Sequence, residues 1–406
     1  MKMLLSISWR NIWRRPSRSG VLIGAVIAGL WAGILVSSWT NGLINQRINR
    51  VIQEELTHLQ IHHPEFLADR EPQMTIEPTH EIFSFLNNDE RIKSYAARTL
   101  ADGMIQSPQT ASGVQITGVM ADLEPATTNF HENLIEGSYL TEQIVYPIII
   151  GVKLAEKLNI GVGNRVVLSF QDLQNDIVYN AFNVAGIFRA NLPAYDEARV
   201  IVRAEDLYGL MAGTPVFHEI AIMLYDIDES DQVAADINRQ FDTIQAETWM
   251  ELSPELRFMT GASEYYMFYI MVVIMLALAF GILNTMLMAI FERTRELGML
   301  ISIGMSRSRV FIMIILESVI LTMTGGAAGI LISILTVSYL GRNGLDLSSI
   351  GGDTMAEWGY DAFVYPFITT GEYISVAVLV MITAILAAIY PAIKALRLNP
   401  GDVIRE

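Results

Sequence analysis

The stretch HLQIHHPE brings His58, His62 and His63 close together in sequence and invites a metal reading. Leu59 and Ile61 set a strand-like alternation, and Pro64 disfavours a helix. On a strand His58 and His62 share a face but stand about 13 Å apart, at roughly 3.3 Å per residue, too far to chelate one ion. Surface histidines are the expectation. The absence of cysteine excludes disulfides, thiolate catalysis and Cys-based zinc sites. GVGNR (residues 161–165) lacks the third glycine of a dinucleotide fingerprint and lies between a predicted helix and a predicted strand, so a turn is expected. The chain has no Gly-Lys dipeptide, hence no Walker A loop, and no G-x-S-x-G or H-E-x-x-H motif. ATP, if used, must be bound by another chain. Carboxylates are plentiful, but nothing in the sequence converges them, and a solvated acidic face is expected. Enzyme activity in this chain finds no support.

Residues 289–311, AIFERTRELGMLISIGMSRSRVF, carry a different chemistry. Glu292, Arg293, Arg295 and Glu296 end one apolar run, and Arg307 and Arg309 precede the next. If the stretch between them is helical, Leu297, Leu300, Ile301 and Gly304 share a face. Glu292 and Glu296 repel mildly at i,i+4, so a cationic surface on another molecule would favour them. A plain positively charged loop explains the same residues, but the compact amphipathic pattern favours a contact element. Glu317 follows Val310 by seven residues, about 10–12 Å along a helix. It is either an interhelical polar contact or an interfacial residue that snorkels. GGAAG (residues 325–329) offers a small-xxx-small face for close helix packing.

Composition identifies what must hold these residues. Of 406 residues, 52% are hydrophobic and 17% charged, against about 25% charged in ordinary soluble domains. The net charge of −16 argues against nucleic acid as a partner. Four apolar runs, residues 20–39, 266–290, 310–340 and 373–390, approach or exceed the roughly 20 residues that cross a bilayer. The first is longer than a signal-peptide core and has no small-x-small site after it, so an uncleaved anchor is expected. Lys2, Arg10, Arg14, Arg15 and Arg18 precede the first run. Lys394, Arg397 and Arg405 follow the last. These sets and the basic residues of 289–311 all face the cytoplasm only if the span number is even, which four satisfies; both termini are then inside.

Residues 41–265 then lie outside, with 14 Lys/Arg against 33 Asp/Glu. That acidity argues against docking on anionic lipid headgroups. YPIIIG, NRVVLSF, AFNVAGIF, ARVIVR and EIAIMLYD read as strands, and KLAEKLNI and DESDQVAADINRQF as helices. This is an α+β pattern, with two subdomains expected. Ser253 and Pro254 start a helix that is expected to run unbroken into the second span. Before the first span, Leu5, Trp9, Ile12 and Trp13 share one face of an amphipathic interfacial helix closed by Pro16.

Residues 281–318, GILNTMLMAIFERTRELGMLISIGMSRSRVFIMIILES, closely resemble the permease signature of FtsX/MacB/Lol-type ABC transporters, the type VII or mechanotransmission group. SWRNIWRRPSRS is similar to that family's N-terminal entry helix, GVKLAEKLNIGVGNRVVL to its outer-domain motif, and YPAIKALRLNPGDVIRE to its C-terminal tail. The resemblance implies a membrane α-helical fold of four transmembrane helices, with a large α+β extracytoplasmic domain of porter and sabre type between helices 1 and 2. It divides the chain into an entry helix (1–19), spans (20–40, 266–290, 310–340, 372–391), an outer domain (41–265), a coupling helix (291–309), an outer loop (341–371) and a tail (392–406). It also implies a second permease copy and a cytoplasmic ABC ATPase dimer that binds ATP and Mg, with no cofactor or metal in this chain. Glu292, Arg293, Arg295, Glu296, Leu297, Gly298 and Gly304 would form the ATPase contact.

FNVAGIFRANLPAYDEARVIVRAEDLYGLM, with Gly186, Ile187 and Phe188 and the pair Tyr195-Asp196, resembles the lipoprotein-releasing branch. That branch implies extraction of lipoproteins from the outer leaflet of a bacterial inner membrane and delivery to a periplasmic carrier. Acyl chains would need an apolar vestibule between the first two spans of paired subunits; Ile34, Leu35, Trp39, Met267 and Met271 are its expected lining. QDLQNDIVYN is shorter than the proline-bearing, carrier-grasping hook of one Lol subunit type, so the chain is either closer to the hookless partner subunit of that system or hands off its substrate differently. Two other readings stand beside this one: a MacB-like exporter of amphiphiles or peptides, and an FtsX-like regulator of a cell-wall hydrolase.

Overall fold

The computed structural model describes residues 9–10, 16–77, 79–190, 193–348 and 363–396. Residues 1–8 and 11–15 of the expected entry helix, 397–406 of the expected tail and 349–362 of the expected outer loop lie outside the described residues. The chain divides into two units. One comprises Met1–Asn45, Met259–Ser349 and Phe363–Glu406; the other comprises Gln46–Phe258 and Ile350–Ala362.

The first unit is a helical bundle built on α1 (Pro16–Val51), α2 (Pro254–Glu292), α3 (Thr294–Ser302), α4 (Arg307–Asn343) and α5 (Thr370–Leu396). All but α3 are long and apolar enough to cross a membrane. α2 begins as its sequence demands: Pro254 has no N–H to leave unpaired, and the Leu256 N–H donates to Ser253 Oγ at 3.3 Å. α1 buries Leu22, Val26, Leu30 and Ile34, one residue per turn along a single stripe. Small residues bring its neighbours close. A Cβ on Gly325 would stand 3.0 Å from the Val26 Cβ, and one on Gly329 would stand 3.3 Å from the Ile27 Cα. The small-xxx-small face of α4 thus packs on α1, where dispersion contacts replace a hydrophobic driving force that lipid cannot supply.

The second unit holds one ten-stranded sheet. Its strands are β1 (Leu59–His62), β2 (Ile92–Gln106), β3 (Ala111–Val119), β4 (Leu134–Gly137), β5 (Pro147–Gly151), β6 (Arg165–Gln171), β7 (Ile177–Phe188), β8 (Arg199–Arg203), β9 (Glu219–Leu224) and β10 (Gln245–Thr248). Their order is β10-β1-β9-β2-β3-β8-β5-β7-β4, with β6 paired to β2 and β7. Pairing is antiparallel except for β3 with β8 and β5 with β7. Three cores pack on the sheet, a small one around Phe130, Ile149, Phe188 and Ile201 and two larger ones. Leu59, Ile61, Ile220 and Ile222 pack with Ile82, Leu86, Val233 and Ile237 in one. Ile148, Ile150, Leu168 and Phe182 pack with Leu154, Leu158 and Leu207 in the other. The long strand β2 serves both, pairing with β9 through its first half and with β6 at its far end. At Gly103 that change of partner needs a glycine, because a Cβ would lie 2.4 Å from the Ser169 carbonyl oxygen. GVGNR forms the expected turn, with Gly163 at φ +85° and the Gly161 N–H donating to Asn164 Oδ1.

The histidine expectation is corrected here. His62 is not on the surface but is 1% exposed. β1 pairs along both edges, with β9 and β10, and all four of its residues are buried, His62 with its ring stacked on Phe66. Nor are all the carboxylates solvated. Register places Arg98 opposite Glu219 across β2 and β9. The buried guanidinium donates from Nη1 to Glu219 and from Nη2 to Glu124, each at 2.5 Å. Thr128 Oγ1 donates to Glu124 at 2.8 Å. His62 Nε2 stands 3.3 Å from the other Glu219 oxygen. Burial pushes the Glu219 carboxyl up, but the Arg98 charge and the His62 contact outweigh it and hold the group down at about 2.

Removing one member of a buried ion cluster leaves charge uncompensated, so Arg98→Met is expected to cost about 3–5 kcal/mol of unfolding free energy. Denaturant titration of the full chain in detergent measures this. The triple variant Arg98→Met, Glu124→Leu, Glu219→Leu should recover most of the loss. Because the folded value of Glu219 lies below its unfolded one, its contribution is complete above the ordinary carboxylate range. It is lost as pH falls from about 4.5 toward 2.

Candidate functional site

The segment between α2 and α4 is a short helix bounded by two breaks. At Arg293 the backbone leaves helical space (φ −112°, ψ 17°), ending α2 and starting α3. At the other end Gly304 takes φ +101°, a conformation costly for any residue with a Cβ. Ser306 then opens α4, its carbonyl accepting from the Arg309 and Val310 N–H groups. Gly304 therefore serves as the turn and is exposed; it does not join the apolar face on which helical spacing put it.

That face otherwise points inward. Leu297 is 3% exposed, Gly298 is buried beside it, and Leu300, Ile301 and Met305 pack against the bundle core. The opposite face carries Arg295, Glu296, Met299 and Ile303, all exposed. Met299 at 56% and Ile303 at 78% are unusually bare for apolar side chains and stand one turn apart. The sequence reading missed them. The signal was that two apolar residues of LGMLISIG fall off the Leu297–Leu300–Ile301 face.

Arg293 ties this helix to the bundle. Its Nε donates to Glu296 Oε2 at 3.2 Å, and its Nη1 lies 3.2 Å from both oxygens of Glu317 in α4. Arg293 and Glu317 side chains are only 16% and 13% exposed, so the pair is poorly screened. Glu317 is thus an interhelical contact. At the same end Lys394 lies over the rings of Phe291 and Tyr390, 5.1 Å and 6.0 Å from their centroids. Charged contacts therefore link the ends of α2, α3, α4 and α5.

The expected vestibule residues do not share one surface. Ile34 is fully buried, and Met271 packs its thioether 3.5 Å from where a Gly33 Cβ would sit. Leu35 and Met267 are half-buried, and Trp39 is partly exposed. More open are Tyr265, Tyr266, Phe268 and Tyr269 of α2, consistent with an aromatic belt at a membrane interface.

Charge-assisted hydrogen bonds of this kind contribute about 1.5–3 kcal/mol. Glu317→Gln is accordingly expected to raise amide hydrogen exchange in α3 by about tenfold, with the far half of α4 unchanged. Mass-resolved exchange on the detergent-solubilised chain reads both.

Residues 19–240 match the MacB-like periplasmic core domain, and residues 268–400 match the C-terminal region of FtsX-like permeases. The lipoprotein-releasing system transmembrane protein LolC of Neisseria meningitidis is 20% identical over 95% of this chain and 93% of its own length. An ABC transporter permease of Bacillus subtilis, YknZ, is 26% identical over 48% of this chain and 46% of its own. The macrolide export ATP-binding/permease protein MacB of Rhodopirellula baltica is 32% identical over 31% of this chain and 16% of its own. The MacB-like match takes in the first membrane-length helix and the domain inserted after it, and the FtsX-like match covers most of α2 together with α3, α4 and α5. By these matches the chain belongs to the FtsX/MacB/Lol-type family of ABC transporter permeases.

Proposed function

We propose that this permease works with a separate cytoplasmic ABC ATPase dimer to extract lipoproteins from a bacterial inner membrane and pass them to a periplasmic carrier. The observation that carries this reading is the reach of the LolC match, which runs nearly the full length of both chains, whereas the MacB match covers 31% of this one. ATP and Mg belong to the ATPase, and a second permease copy completes the complex. The Lys/Arg distribution supports α3 and both termini in the cytoplasm and the MacB-like domain in the periplasm.

In this reading Met299 and Ile303 fill a groove on the ATPase, while Glu292, Arg295 and Glu296 meet charges at its rim. Leu297 and Gly298 press on the bundle, and Arg293 carries the displacement to Glu317. Closure of the ATPase then moves α4 and the helices packed on it. Leu35, Trp39 and Met267 line the acyl-chain vestibule beside the second copy. Ile34 and Met271 reach it only when α1 and α2 part.

A MacB-like export role is the second reading. It is favoured by one feature: β6 and β7 meet in a tight turn in which Asp172 Oδ1 accepts from the Gln174 and Asp176 N–H groups, leaving no extended hook. An FtsX-like regulator is disfavoured by the size of the inserted domain. Purification of the complex with a hydrolysis-dead ATPase separates the three. Trapped lipoprotein is the expected result; its consistent absence, with an outer-membrane channel or a hydrolase bound instead, contradicts lipoprotein release.

Reversing the rim charges tests the contact itself. Glu292→Lys with Glu296→Lys should leave membrane insertion and folding intact while lowering lipoprotein released per ATP by about tenfold or more, as loss of one strong interfacial charge contact implies. Unchanged release from the reconstituted complex would remove α3 from the coupling route.

A further inference from the structure

Beside α4 and α5, at the bundle end where α1 leads into the inserted domain, lies a cavity of about 810 Å³. Its wall is apolar, formed by Ile330, Ile334 and Val337 of α4 and Ala377, Val378 and Met381 of α5. Its mouth is different in kind, carrying Arg342, Ser338, Tyr365 and Tyr373. Arg342 is exposed and makes no ion pair among the described residues.

The mouth is held in shape by backbone contacts. The Phe367 N–H donates to the Ser38 carbonyl at 3.0 Å. The carbonyl oxygens of Tyr365 and Pro366 lie so close over Gly42 and Gly341 that Cβ atoms there would stand at 2.5 Å and 2.9 Å. Glu372 joins in, accepting from Asn41 Nδ2 at 2.7 Å and from the Thr369 N–H at 2.8 Å. The cavity therefore needs no rearrangement to accept a ligand.

Its dimensions select the ligand. From Ile330 to Arg342 the wall rises about 18 Å at 1.5 Å per residue. One leaflet is half of a hydrocarbon core roughly 30 Å thick, about 15 Å. A membrane-spanning helix of a partner would need a groove of twice that length, and a soluble anion would leave the apolar wall unused. An amphiphile with one leaflet's length of hydrocarbon and an anion at its head meets both demands: the chains lie on the wall, and the head supplies a counter-charge to Arg342. Tyrosines at the mouth suit the level of the headgroups.

We propose that this cavity is a built binding site for one membrane glycerophospholipid, with its acyl chains between α4 and α5 and its phosphate at Arg342. The test is native mass spectrometry of the full chain, delipidated in detergent and then supplied with phosphatidylglycerol, phosphatidylethanolamine or diacylglycerol. One retained phospholipid per chain is expected for both phosphate-bearing lipids, with diacylglycerol held about fivefold more weakly, the factor one interfacial cation contributes. Arg342→Gln should bring phospholipid down to the diacylglycerol level. Ala377→Trp, which fills the wall, should abolish retention of all three. Equal retention of diacylglycerol and phospholipid in the wild-type chain overturns the proposal, as does indifference to Arg342→Gln. A lipoprotein-derived adduct in place of free phospholipid does the same. Should Ala377→Trp fail to fold, Arg342→Gln at the exposed mouth decides alone.

Discussion

The side chain of Arg293 is the charged tie between the short helix α3 and the rest of the bundle. It stands at the break between α2 and α3 and reaches both Glu296 on α3 and Glu317 on α4. A carboxylate some turns into an apolar span is costly unless a cation meets it. Arg293 supplies such a cation to Glu317, and the buried Leu297 and Gly298 seat the helix that follows it. Apolar seating and charge pairing thus both hold α3 against the bundle. Close packing continues through the bundle: α4 meets α1 at Gly325 and Gly329, and α1 meets α2 and α5 at Gly33.

The inserted domain answers a different demand. Its single sheet carries two large cores and a smaller third, and one long strand is common to the two large ones. β2 is that strand, and its midpoint is where Arg98 gathers Glu124 and Glu219. Such a cluster is a poor source of net stability but a strict specifier of geometry, since every partner must be present at once. His218 adds to it from below: its Nδ1 accepts the Leu100 N–H and its Nε2 donates to the Pro72 carbonyl, fixing one neutral tautomer. Burial lowers its proton affinity in the same sense.

What local pattern encodes was legible in the sequence. The four spans, the strand and helix runs of the inserted domain, the Pro254 helix start and the inward stripe of α3 all follow from periodicity and end signals within a dozen residues. What depends on partners far along the chain was not. His62 reads as a surface residue because nothing local says that β9 and β10 will flank it. Arg98 finds Glu219 across 121 positions through strand register alone. The pairing of Arg293 with Glu317 crosses a helix break whose angle no pattern specifies. Gly304 misled for a related reason, since a helical wheel continues past the residue at which the helix stops.

In the proposed function α3 drives the bundle through the Arg293–Glu317 contact. Charge exchange across that contact tests it most directly, read as substrate released per ATP hydrolysed in the reconstituted complex. Arg293→Glu alone and Glu317→Arg alone should each depress that ratio while ATP hydrolysis continues. The double exchange, which restores an ion pair of opposite polarity, should bring it back toward the wild-type value. Single exchanges that keep the wild-type ratio, or a double exchange no better than either single, would contradict the account.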